Sequence, residues 1–91
     1  MKLYLVHTGF YDKNIDDGFF EQHTNILVVA SSPYEAREDV KQMPEFIMKK
    51  MHIDGIKEIE NVDGYELILK STNKKPNINT FNHYQVRFLK P

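Results

Sequence analysis

The stretch Asn25-Ile26-Leu27-Val28-Val29-Ala30-Ser31-Ser32-Pro33-Tyr34-Glu35 decides the fold, because it hands a strand directly to a helix. From Ile26 to Ala30 both alternating sets of positions are apolar, which suits a strand covered on both faces and placed near the middle of its sheet. Ser32 can accept the free amide hydrogen of Glu35 while Glu35 reaches back, and Pro33 takes the first helical position, where no amide donor is needed. Downstream, Ala36, Val40 and Met43 recur at helical spacing as one apolar stripe, with Arg37, Glu38, Asp39 and Lys41 on the solvated side. Pro44 disfavours helical geometry at Met43, so the helix is expected to break there and resume over Glu45 to Met51 with Phe46 and Ile47. Asp54-Gly55 is expected to end the helical part.

Upstream, Leu3 to His7 reads as a strand, joined to the next by a polar loop that holds Gly9, Asp12, Asn14, Asp16, Asp17 and Gly18. Beyond the helices, Ile56 to Val62, the pair Asp63-Gly64 and Tyr65 to Lys70 form a hairpin pattern, since Asp-Gly readily supplies the positive backbone angles of a two-residue turn. Tyr65, Leu67 and Leu69 are its expected core face. Ser71 to Thr80 is too polar to be an element, and Tyr84, Val86 and Phe88 alternate with Gln85 and Arg87 as a last strand. The order ββα(α)βββ predicts one α+β domain over residues 1–91, with two layers: a mostly antiparallel five-stranded sheet and one broken helix on one of its faces. A crossover between parallel strands of that sheet is expected to be right-handed.

Composition narrows the function classes. A chain of 91 residues, 41% hydrophobic, fits a single core. Its 12 basic and 13 acidic side chains alternate along most of the chain, whereas nucleic-acid binders carry a basic stripe. No nucleic-acid partner is expected, and a toxin acting on RNA fits poorly with an isoelectric point near 6.4. Without cysteine there is no disulfide, thiol nucleophile or thiolate metal site, so any metal would need His nitrogens and carboxylate or carbonyl oxygens. His7, Thr8 and Gly9 cut the first apolar run short of a signal peptide, and no run of about 18 apolar residues exists to cross a bilayer. The expected location is the cytoplasm, with no membrane partner.

Glu21-Gln22-His23, Val28-Val29-Ala30, His52-Ile53-Asp54 and Val62-Asp63-Gly64-Tyr65 lie within three stretches, Lys2 to Gly9, Glu21 to Glu35 and His52 to Leu67. Read in order, these stretches resemble the bacterial domain-of-unknown-function family numbered 1543, and the run from His52 to Tyr65 is the most specific part. The resemblance implies a small bacterial domain that occurs alone or in more than one copy, and it brings no activity, cofactor or substrate with it. Two features depart from the family pattern. The Met43-Pro44 break replaces a longer helix, and the Ser71 to Thr80 loop has no counterpart, which leaves the C-terminal part outside the resemblance.

If the first two strands pair as a hairpin, His7 and His23 lie at one end of the sheet, and Glu21 shares a face with His23 because the two are two residues apart. With Asp12 they would suit a divalent metal bound through nitrogen and oxygen, or a His base oriented by a carboxylate. The plainer alternative is a solvated, hydrogen-bonded sheet end. At His52-Ile53-Asp54 the carboxylate could orient the imidazole; the reading adopted instead has Asp54-Gly55 form a turn and His52 close the second helix. His83 is expected at a strand edge. Asp12 to Asp16 imitates a calcium loop, but Asp17 stands where glycine is needed and His23 where a bidentate Glu belongs. No phosphate loop, nucleophile elbow or H-E-x-x-H helix is present, and the four glycines read as turn residues.

Phe10, Tyr11, Phe19 and Phe20 put four aromatics near one loop, either as a lid over the open sheet face or as an exposed contact surface. The function expected from this pattern is a non-catalytic binding or self-association module, with a homodimer or a protein partner. The alternative is a small metabolite- or metal-binding domain or enzyme that uses His7, Glu21, His23, His52 and Asp54. No catalytic residue, metal or cofactor is assigned from sequence.

Overall fold

The computed structural model describes all 91 residues. The chain is α+β and begins with two long antiparallel strands, β1 (Lys2–Tyr11) and β2 (Glu21–Ala30), joined by a loop with one 3-10 turn at Asp16–Gly18. Two helical segments follow, α1 (Pro33–Lys41) and α2 (Pro44–Met48), and then β3 (His52–Ile59). A two-stranded hairpin of β4 (Asn61–Val62) and β5 (Tyr65–Glu66) precedes a long extended segment and a last helical turn, α3 (His83–Arg87).

The sheet order is β2-β1-β3, with β1 antiparallel to both neighbours. It follows that β2 and β3 run parallel on either side of β1 and are joined by the helical crossover. The expected single five-stranded sheet is therefore corrected to a three-stranded sheet and a separate hairpin. The expected central strand is corrected too. Leu3, Tyr4, Leu5 and Val6 are apolar on both alternating sets and take the middle, while β2 is an edge strand that leaves Leu27 and Val29 exposed.

One face of the sheet is covered. Along β1, Tyr4, Val6, Thr8 and Phe10 point under the helices and are buried. Ala36 of α1 closes over Tyr4 and Ala30, with Val28 and Ile56 partly buried beside them, and Val40, one turn on, is buried as well. Half of the expected α1 cap forms: Ser32 Oγ accepts from the Glu35 amide at 3.2 Å with Pro33 in the first turn, while the Glu35 carboxylate accepts from the Ser31 hydroxyl instead of reaching back to the Ser32 amide. Met43 is extended and α2 starts at Pro44, so the break falls where proline requires it. At the end of α2 the Lys49 ammonium sits 4.8 Å from the centre of the Phe10 ring.

Beyond Ile59 the picture changes. Every residue from Glu60 to Pro91 is exposed. Asp63 and Gly64 take positive φ values of 54° and 81°, as the two-residue turn requires. However, Tyr65, Leu67 and Leu69 cover no core, and pairing stops at Glu66. The expected last strand is instead α3. Asn82 accepts from the Gln85 amide at 2.9 Å and the Gln85 side chain accepts from the Asn82 amide at 3.0 Å, a reciprocal cap that commits the segment to a helical turn. The radius of gyration, 16.0 Å, exceeds the roughly 12 Å of a compact chain of this length, in keeping with a last part whose every residue is exposed. No helix is long and apolar enough to cross a membrane.

Candidate metal centre

On the uncovered face, Gly9 of β1 has His23 of β2 and His52 of β3 as its cross-strand partners. Side chains directly opposite across a ladder sit close enough to interact, and here the middle position carries none. Glu21, two residues before His23, shares its face. On β3 the register slips between His7 and Thr8: His7 pairs with Gly55 and Thr8 with Ile53, which leaves Asp54 as the extra residue of a bulge. The bulge resets the alternation, so Asp54 stays with His52 on the open face while Ile56 turns to the covered one.

The functional groups lean together over Gly9. His52 Nε2 lies 2.7 Å from Glu21 Oε1 and 3.2 Å from Asp54 Oδ1. His23 Nδ1 lies 3.3 Å from Asp54 Oδ2, and its Nε2 is 3.9 Å from Glu21 Oε1. The His7 and His23 rings stack with centroids 4.9 Å apart and 7° between planes, and His7 Nδ1 is 2.8 Å from Asn25 Oδ1. Side-chain exposure runs from 32% for Glu21 to 49% for His52, so the groups are reachable from solvent without being free of the sheet.

A Cβ built on Gly9 would stand 2.6 Å from His52 Nε2 and 2.9 Å from Asp54 Oδ2, and would also collide with Glu21 Oε1. The absent side chain thus leaves the volume into which these three ligand atoms converge. Two overlapping sets, Glu21/His52/Asp54 and His7/His23/Asp54, each bring one ligand atom per residue within 4.8 Å of one another. Adjacent donors around an octahedral ion with bonds near 2.1 Å are about 3.0 Å apart, and the first set approaches that spacing.

The sequence profile of a family described as Domain of Unknown Function (DUF1543) matches residues 18–69. The chain belongs to that family. No curated protein and no solved structure matches it. The DUF1543 span contains Glu21, His23, His52 and Asp54, while His7 and Gly9 lie on the strand before it.

All five residues singled out in the sequence, His7, Glu21, His23, His52 and Asp54, meet at one end of one face. The adopted reading of His52 as a helix end and Asp54-Gly55 as a turn is corrected: both lie in β3, where the bulge sets their direction. Asp12 does not join; its carboxylate accepts the Asn14 amide at 2.9 Å and its carbonyl accepts from Ile15 in the connecting turn. His83 opens α3 and is exposed. Among the aromatics, Phe10 is buried at the end of β1, whereas Tyr11, Phe19 and Phe20 are exposed. Phe19 and Phe20 pack edge to face at 4.8 Å and form no lid. Sequence reading passed over Gly9 as a turn residue and passed over Asn25. The signal for Gly9 was its place inside a strand, which marks close approach of other groups.

Proposed function

We propose that this DUF1543 chain is a divalent-metal-binding domain whose site is formed by Glu21, His52 and Asp54 over Gly9. The observation that carries this reading is the convergence of three donor atoms from β2 and β3 on the volume that Gly9 leaves open in β1. A mixed nitrogen and oxygen donor set suits manganese, iron, zinc or nickel rather than calcium, which takes oxygen alone. Binding a cation there would replace hydrogen bonds between imidazole and carboxylate with coordination, and would offset the charge of two carboxylates held side by side. Self-association receives less support, since Phe10 is buried and Tyr11, Phe19 and Phe20 remain as its aromatic contacts.

Isothermal titration of the full chain with manganese, zinc and nickel tests the proposal. Saturable binding is expected, weakened more than about 100-fold in Glu21→Gln, beyond the roughly 10–100-fold that loss of a ligand's outer partner costs. Heat changes no larger than dilution for all three metals would overturn it.

A further inference from the structure

Resting on that reading, we propose that the site holds two divalent cations, bridged by the Asp54 carboxylate, with Glu21 and His52 on one ion and His7 and His23 on the other. The two Asp54 oxygens already face different imidazoles: Oδ1 is 3.2 Å from His52 Nε2 and Oδ2 is 3.3 Å from His23 Nδ1. A carboxylate whose oxygens part in this way spans a pair of ions about 3.5–4 Å apart, the separation of two-metal centres.

The second set has its own support. Asn25 Oδ1, an acceptor, lies 2.8 Å from His7 Nδ1. In the neutral ring Nδ1 then carries the hydrogen and donates it, which leaves the Nε2 lone pair free for an ion. Such a partner on the far ring nitrogen is what orients metal-ligating histidines. His23 lies parallel to His7 with ring centroids 4.9 Å apart, and one ligand atom each of His7, His23 and Asp54 lies within 4.8 Å of the others; turning one imidazole out of the stack would aim both ring nitrogens at one ion and complete a donor set of two imidazoles and one carboxylate. That set is typical of iron(II) and neighbouring metals. His23 Nε2 stands 3.9 Å from Glu21 Oε1, beyond hydrogen-bond distance, so the second imidazole borders a ligand of the first ion without bonding to it. One divalent ion would balance the charge of the two carboxylates; the second is held mainly by imidazole nitrogen, so it is expected to bind more weakly.

The experiment is a manganese titration of the full chain followed by native mass spectrometry and electron paramagnetic resonance. Two ions per chain, the second weaker, with a spectrum showing exchange coupling between them, is the expected result. His7→Gln should bind one ion and lose the coupled spectrum, while Glu21→Gln weakens the tighter ion. One ion per chain in the unaltered protein would overturn the two-ion centre and leave the metal-binding reading standing; no ion would overturn both. Two ions without coupling, or two coupled ions in His7→Gln, would equally overturn the bridged arrangement. Should His7→Gln fail to fold, the stoichiometry and coupling of the unaltered chain still decide.

Discussion

The two faces of β1 differ more than any two elements of the molecule. Tyr4, Val6, Thr8 and Phe10 on one face are buried on the helix-covered side, and both hydroxyls there are satisfied, because Thr8 donates to the Thr24 carbonyl at 3.1 Å and Tyr4 to Glu58 Oε1 at 2.8 Å. On the other face Leu3, Leu5, His7 and Gly9 are left uncovered by any helix, and that face carries the titratable cluster. A single strand with a period of two thus separates the residues that hold the fold from those that gather ligands. Changes on one face should leave the property of the other intact.

The largest effect that sharpens this contrast is expected from Gly9→Ala. The added methyl displaces the ends of Glu21, His52 and Asp54, which are free to swing outward, so metal affinity should fall by about 100-fold or more, near 2.7 kcal/mol. Gly9 has no positive φ angle that alanine would strain, and its replacement restricts the unfolded chain, so stability should move by less than about 1 kcal/mol. Titration calorimetry and denaturant melts on one sample read both. Unaltered affinity would detach the cluster from Gly9, and a large loss of stability would break the division between faces.

Val6→Ala is the converse. Val6 is fully buried on the helix-covered face of β1, and removing two methyl groups should cost about 2 kcal/mol from transfer and cavity terms together. The metal stoichiometry of the folded protein should not change. A lost or weakened ion at temperatures where Val6→Ala remains folded would mean that packing under the sheet positions the ligands above it.

What could be read from sequence follows the range of the interactions. Ser32, Pro33 and Glu35 cap a helix among themselves, Pro44 breaks one by its own ring, and Asp63-Gly64 turns within two residues; these local devices were legible. The α+β class followed from them together with the apolar runs, and the shared face of Glu21 and His23 from their two-residue spacing in a strand. The central place of β1 was not legible, because centre and edge depend on which strands pair, and Ile26 to Ala30 carries the same apolar signature as Leu3 to Val6. Tyr84 and Phe88 illustrate the limit of periodicity. They fit an alternating strand and also stand one helical turn apart, with rings 4.9 Å apart in α3, and the Asn82–Gln85 cap decided between the two. The convergence of His52 and Asp54 with His23 hinged on a one-residue bulge, which no local pattern announces.

The smallest expected effect concerns the covered face alone. Tyr4 donates its hydroxyl to Glu58 Oε1 at 2.8 Å across the β1–β3 ladder, and Lys2 Nζ lies 3.4 Å from the same carboxylate. The Tyr4 hydroxyl, more than the Lys2 ammonium, holds the Glu58 carboxyl below its ordinary value against the opposing effect of burial. A carboxyl held low in the folded state stabilises the fold above its unfolded pKa, and this contribution disappears as pH falls through the folded value. Burial, and then the bond to Glu58, push the Tyr4 phenol up. That contribution is complete below the ordinary phenol value and is lost as pH rises beyond it. Tyr4→Phe removes the hydroxyl from both balances, so the acid and alkaline limbs of its stability curve should each be shallower, while metal binding on the opposite face at neutral pH stays as it was. Denaturant melts of both proteins across the range from about pH 3 to 11 measure this. Two curves parallel at every pH would mean that the hydroxyl contributes only a bond indifferent to protonation, and would remove Glu58 from any account of how the covered face responds to acid.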